Sequence, residues 1–344
     1  HLDHVNWQLE VRRQGMNALL PWLAKHRDLT KLLALSIRID IKNHRWADAR
    51  DKLQTGFAFA RHVSEGDTLF QNLVGIAMAR MMTDCVEDWV AEPGSPNLFW
   101  PVTDLPHPLI DMHYALEMER ASGDFTFPEL GAMRSGHISA QEWISFVGAI
   151  YAEISQIKLP PSKHQLYGTL WAVLLYPKAR TYLTSRGLSD EAFNRLSVPD
   201  ALGQYFIQSY DEALDDVYKY NGLPPYQAIP VALAAERQRS PYSRINVLAA
   251  IIVPSFSKAI FINTSLTREM AMLQITEALR AYAAAHAAFP DSLAELSLPI
   301  PNDPMTNKPF GYTREGGTAT LTSAAPDGYR LRDGRVFILK LAAP

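Results

Sequence analysis

Apolar residues recur every three or four positions along most of the chain from Val5 to Arg237, and that period commits the sequence to helices. Each such segment has one stripe that must find a core. The spacing predicts helices over Val5–Lys25, with a break at Pro21, then over Leu32–Ile41, Trp46–Val63 and Leu69–Val90. Asn43 and His44 punctuate the first pair, and Ser64, Gly66 and Asp67 suit a turn and an N-cap before the third. Helical spacing returns at Leu109–Ala121, Ala140–Ile157, Gln165–Leu175, Asp190–Leu196, Ala201–Tyr220 and Ala228–Arg237. Between them, Ala91–His107 carries Pro93, Gly94, Pro96, Pro101 and Pro106, which predicts a loop or an elaborated connection bordering a cleft.

The texture changes near residue 240. Ile245–Ile262 is apolar enough to suggest a bilayer span, but Pro254, Ser255, Ser257 and Lys258 interrupt it, which predicts a buried helix instead. A long helix is expected over Ser265–Ala288, followed by a proline-rich stretch and alternating segments at Thr318–Thr322 and Arg335–Leu341. The expected fold is mainly α: an all-α helical array over 1–240, then a small α+β element over 241–344 with short antiparallel strands.

At 47% hydrophobic and 20% charged residues, the composition is that of a globular chain. A formal charge of -3 lacks the field that nucleic-acid binding needs, so no nucleic-acid partner is expected. The one cysteine, Cys85, excludes an intrachain disulfide and a cysteine-based zinc or iron–sulfur site. The opening at His1, with a helical pattern starting almost at once, suggests a processed N-terminus from which a signal or membrane anchor has been removed.

Two resemblances follow from particular residues. Ala34–Val63 resembles one tetratricopeptide unit, with Trp46, Ala47, Ala49 and Leu53 fitting its second helix. LRAYAAAHAAFPDSLAEL (Leu279–Leu296), PNDPMTNKPFGY (Pro301–Tyr312) and LTSAAPDG (Leu321–Gly328) resemble in order the soluble domain of the major pseudopilin of type II secretion. A similar tail occurs in uncharacterised envelope-directed proteins of planctomycete-type bacteria. The resemblance implies an extracytoplasmic address in the periplasm or cell envelope, and a calcium ion in the terminal loop, with Asp303 and Asp327 at the matching positions. The sequence departs from the family after Gly328, where Tyr329 to Arg332 replace acidic and glycine residues. Asp303 also reads as a turn cap before Pro304.

There is no Gly-x-Ser-x-Gly elbow, Walker A loop, Gly-x-Gly-x-x-Gly or His-Glu-x-x-His. The best polar constellation is HPLIDMHYALEMER, where the pairs His107/Asp111 and His113/Glu117 each share one side of a helix. Either pair suits a metal-dependent or carboxylate hydrolase; His113 with Glu117 would hold a transition metal or act as an oriented base. For binding, Trp46, Arg50 and Arg61 stand out, because Arg50 and Arg61 sit on one helix face and guanidinium groups grip carboxylates or phosphates. The expected function is a non-enzymatic, extracytoplasmic helical scaffold that binds a protein or peptide and needs no cofactor. Its alternatives are the hydrolase near 91–107 and a structural subunit of an envelope assembly.

Overall fold

The structure, a computed structural model, describes residues 20, 22–155, 160–238, 246–326, 329 and 333–341. The predicted segment over residues 5–19 and the candidate calcium residue Asp327 lie outside the described residues. The described chain is mainly helical, with 12 α-helices and a three-stranded antiparallel sheet at its C-terminal end.

Helices α1 (Trp22–Lys42), α2 (Trp46–Ser64) and α3 (Leu69–Ala91) pack against one another. Their apolar periodicity forms the seam: Ala34, Ile37 and Ile41 of α1 meet Ala49, Leu53 and Ala60 of α2 and Met78, Met82 and Cys85 of α3 in one cluster. His44 takes a left-handed φ of 54°, which turns the chain between α1 and α2. Asp40, buried at that corner, accepts from Arg45 and from Lys52 at 2.5 Å; the Lys52 bond, with help from Arg45, holds its carboxyl below the usual range. Thr68 caps α3 by accepting from Gln71 N at 3.2 Å. At Gly75 of α3, an added Cβ would stand 2.7 Å from the Ala60 carbonyl of α2, so only glycine permits so close a crossing.

A short helix, α4 (Phe99–Thr103), forms inside the proline-rich connection. Then come α5 (His113–Thr126), α6 (Glu129–Arg134), α7 (Ala140–Ser155), α8 (Pro161–Ser185), α9 (Asp190–Arg195), α10 (Val198–Tyr218) and α11 (Pro225–Gln238). Phe146 of α7 anchors this half, edge-on to Phe206 of α10 at 4.7 Å and to Phe127 at 5.8 Å. The acidic run on α10 lies on the opposite face and pairs outward, Asp211 with Arg134, Glu212 with Arg186 and Asp215 with Arg120.

The two apolar segments predicted on either side of Ile262 form a single helix, α12 (Val247–His286). Its Leu266, Met270 and Leu273 belong to the main core, while Met272, Ile275 and Leu279 face the sheet, so one helix serves both parts. Strands β1 (Gly311–Glu315), β2 (Thr318–Ser323) and β3 (Arg335–Lys340) form a meander in the order β1-β2-β3. Ala319 and Leu321 of β2, with Phe337 and Leu339 of β3, cover α12. Gly316, at φ 56°, makes the two-residue turn from β1 to β2.

Candidate functional site

Arg50, Leu53, Gln54 and Phe57 fall on one face of α2, and that face forms one wall of an open groove. Val86 of α3 supplies the floor, and Leu98, Pro101, Val102, Asp104 and Leu105 supply the wall opposite. The groove has a volume of about 250 Å³. Its second wall is the proline-rich connection, which polar contacts to α3 and α12 hold in place. Trp89 Nε1 donates to the Pro96 carbonyl at 2.8 Å, Asn97 Nδ2 to the Glu277 carbonyl at 2.8 Å, and Gln274 Nε2 to Thr103 Oγ1 at 2.9 Å. Arg50 stands exposed at one rim, 3.0 Å from Asp51, and Asp104 lies on the other wall. The arrangement offers an apolar trough between a cation and an anion, which suits an amphipathic segment.

The other two predicted binding residues do not line this groove. Trp46 is half-buried and packs on Trp89 at 4.9 Å and on His44 at 5.1 Å, so it closes the edge of the core. Arg61 lies further along α2, 3.8 Å from Glu65.

Of the hydrolase constellation, His113 and Glu117 fall four apart on α5, both exposed, while His107 and Asp111 precede that helix. The expected helix from Leu109 begins only at His113, so His107 and Asp111 do not share a helix face, a correction to the sequence expectation. Pro106 and Pro108 flank His107 and block a regular helix there, and the His107–Pro108 peptide is cis. His107 Nε2 contacts the Thr103 carbonyl at 3.1 Å, and Asp111 Oδ1 accepts from His113 N at 2.9 Å, holding the start of α5. His113 Nδ1 meets Asn221 Nδ2 at 3.1 Å, and Glu117 is exposed. Among the described residues, no group of three His, Cys, Asp or Glu side chains is placed to hold a metal ion. The Cys85 thiol is buried and pushed up to about 11 by that burial, which makes it a packing residue rather than a nucleophile.

Asp303 is buried, and its carboxylate is already occupied. Oδ1 accepts from Met305 N at 2.9 Å and lies 3.3 Å from Arg268 Nε; Oδ2 accepts from Ser323 Oγ at 2.6 Å. The Met305 bond is that of a turn cap, whereas Arg268 is a partner from α12 that no local pattern in the sequence announces.

Arg268 belongs to a polar row along α12 that sequence reasoning passed over entirely. Glu269 pairs with Arg80 of α3 at 3.6 Å and with Arg335 of β3. Glu277, fully buried, pairs with Arg280 at 2.7 Å, and Arg280 Nη2 donates to Ser95 Oγ at 2.6 Å. Burial pulls the Arg80 and Arg268 guanidinium groups below their usual range and pushes the Glu277 carboxyl above it. A signal for this row was present: SLTREMAMLQITEALRAY is apolar on every side, so its charges have no solvent face to occupy.

Glu277 gives a pH test. Its folded pKa is raised, so its contribution to stability is full below the ordinary glutamate range and is lost as pH rises through the raised value. Asp40 acts in the opposite sense, since its lowered pKa makes a contribution that is lost as pH falls. Urea unfolding of the wild type minus Glu277→Gln, measured at a series of pH values, is expected to decline with pH just above the ordinary glutamate range. A flat difference curve would show that burial does not govern this carboxyl.

No family model, curated protein or solved structure matches this chain. Among the described residues no helix is long and apolar enough to cross a membrane.

Proposed function

We propose that the protein is a non-enzymatic, extracytoplasmic scaffold that binds a protein or peptide segment in the groove between α2, α3 and α4. The observation that carries this is the open apolar trough with Arg50 exposed on its rim and Asp104 across from it. Helical stacks present such concave surfaces without any chemistry. The close α2/α3 crossing at Gly75 supports a tetratricopeptide-like packing of α1 to α3. The C-terminal half of α12 lying under a three-stranded antiparallel sheet supports the pseudopilin-like reading of the tail, on which the envelope address rests.

Peptides selected on the chain from a random library test the groove directly. With an environment-sensitive dye on Gln54→Cys, selected peptides are expected to shift the emission, and Arg50→Glu to weaken them about tenfold by placing an anion at the rim. Selection of nothing that moves the dye, or equal binding to Arg50→Glu, would remove the groove from consideration.

A structural subunit of an envelope assembly is the second reading, and one observation favours it. Helix α8 exposes Leu166, Leu170, Val173 and Leu174, and α1 exposes Leu29, Leu32, Leu35 and Ile39, each set at helical spacing. Concentration-dependent self-association in sedimentation, abolished by Leu170→Glu with Leu174→Glu, would favour assembly over the scaffold.

A further inference from the structure

Among the described residues, strand β3 is an edge strand: it pairs with β2 on one side only. Leu341 N donates to the Gly317 carbonyl at 2.9 Å, which fixes the parity of the ladder. Leu339, Phe337 and Arg335 therefore bond toward β2, while the amides and carbonyls of Val336, Ile338 and Lys340 point away from it. Val336 is 60% exposed and Ile338 64%, and no charge or proline interrupts the strand between Arg335 and Lys340. Natural sheets guard such an edge with a charge, a bulge or a proline, because a bare edge is a template for another strand.

This edge faces a second groove, of about 450 Å³, distinct from the one at Arg50. Its far wall is the C-terminal part of α3, at Glu87, Val90 and Ala91, and its floor is Leu273 and Thr276 of α12 with Phe289. Arg335 is tied to Glu269 at one end. The stretch Glu269–Arg280 of α12 and the strand β3 are both about 16 Å long, at roughly 1.5 and 3.3 Å per residue. β3 therefore runs along α12, bringing Lys340 to the Arg280 end, where both line the groove.

We propose that this groove takes an extended apolar segment of a partner protein as a fourth strand beside β3, with an acidic residue of that segment at the Lys340 end. The backbone of Val336, Ile338 and Lys340 offers the hydrogen bonds that give affinity, and the alternation of the added strand gives specificity. One row of its side chains meets Val336 and Ile338 on the open face of the sheet, and the other meets Leu273, Thr276 and Phe289. Lys340, exposed and without an ion-pair partner among the described residues, supplies the charge complement. A second copy of this chain fits the edge less well. Its own β3 comes with α12 beneath the sheet, and α3 of the first copy already occupies that position.

Random seven-residue peptides displayed on phage and panned on the full chain test this. The enriched sequences are expected to be β-branched apolar runs with an acidic residue at one end. A synthetic copy of the strongest, labelled with fluorescein, should bind in a polarisation titration. N-methylation of its alternate amides should weaken it about tenfold in one phase and not in the other, since only every second amide of an edge strand points at its neighbour. Ile338→Pro removes one donor from the free edge and should weaken it by about the same factor, and Lys340→Glu should also weaken it. Arg50→Glu should leave it unchanged, which separates this groove from the one in the proposed function. The N-methylated peptides keep the test decisive if Ile338→Pro misfolds. Enrichment without alternation, indifference to N-methylation, or no enrichment would each overturn the proposal. So would a dimer of the chain that Ile338→Pro dissolves, because it would make the occupant a second copy.

Discussion

Asp303→Ala is expected to lower the unfolding free energy by about 3–5 kcal/mol, the cost of leaving a buried charge without its partner. The stranded group is Arg268, whose side chain is 2% exposed. The same substitution also orphans Ser323 Oγ and Met305 N, both of which donate to the carboxylate. In a thermal melt this should appear as a loss of at least about 5 °C. Arg268 Nη1 also donates to the Asp333 carbonyl at 3.0 Å, so the loss should reach the segment leading into β3. Replacing both partners, Asp303→Ala with Arg268→Met, should cost less than Asp303→Ala alone, because no buried charge remains. If the two losses simply add, the pair is not coupled. A chelator separates this role from calcium binding: removing free calcium should leave the wild-type melt where it is, whereas a calcium loop at Asp303 would melt earlier.

Trp89→Ala should cost a similar amount, about 3–5 kcal/mol, as expected for emptying the space of a large buried aromatic. Trp89 is 1% exposed, packs on Trp46 and belongs to the core shared by α1, α2 and α3. Its indole also carries a functional consequence, because Nε1 donates to the Pro96 carbonyl and so ties down the connection that bears α4. Trp89→Phe keeps most of the packing and loses that bond, at about 1–2 kcal/mol. The amides of Val102 and Asp104, which donate to the Leu98 and Trp100 carbonyls, should then exchange faster with deuterium. Unchanged exchange would mean that α4 is held by its other contacts, at Asn97 and Thr103, without help from Trp89.

Much of the helical frame is legible in the sequence. Trp46–Val63 and Leu69–Val90 are predicted within a residue of their ends, because their apolar stripes are regular and their flanks carry turn residues. The sequence pattern puts the start of α5 too early, because Leu109 and Ile110 continue the apolar spacing although Pro106 and Pro108 prevent the backbone from following it. The binding residues were legible only in part. Arg50 reaches a groove, but Trp46 is an aromatic whose role depended on whether another aromatic, Trp89, lay behind it.

The periodicity of its apolar residues by itself determined that this chain is mainly helical, and the alternation at Thr318–Thr322 and Arg335–Leu341 determined that it ends in short strands. Both are local signals, carried by neighbours along the chain. Only the tertiary structure decided that Arg268, Glu269 and Glu277 are paired inside, that Asp303 holds a guanidinium, and that β3 lies open beside α3. The physical reason is that the meaning of a charge or a strand edge depends on what lies across from it in space. Here those partners come from helices and loops far away in sequence.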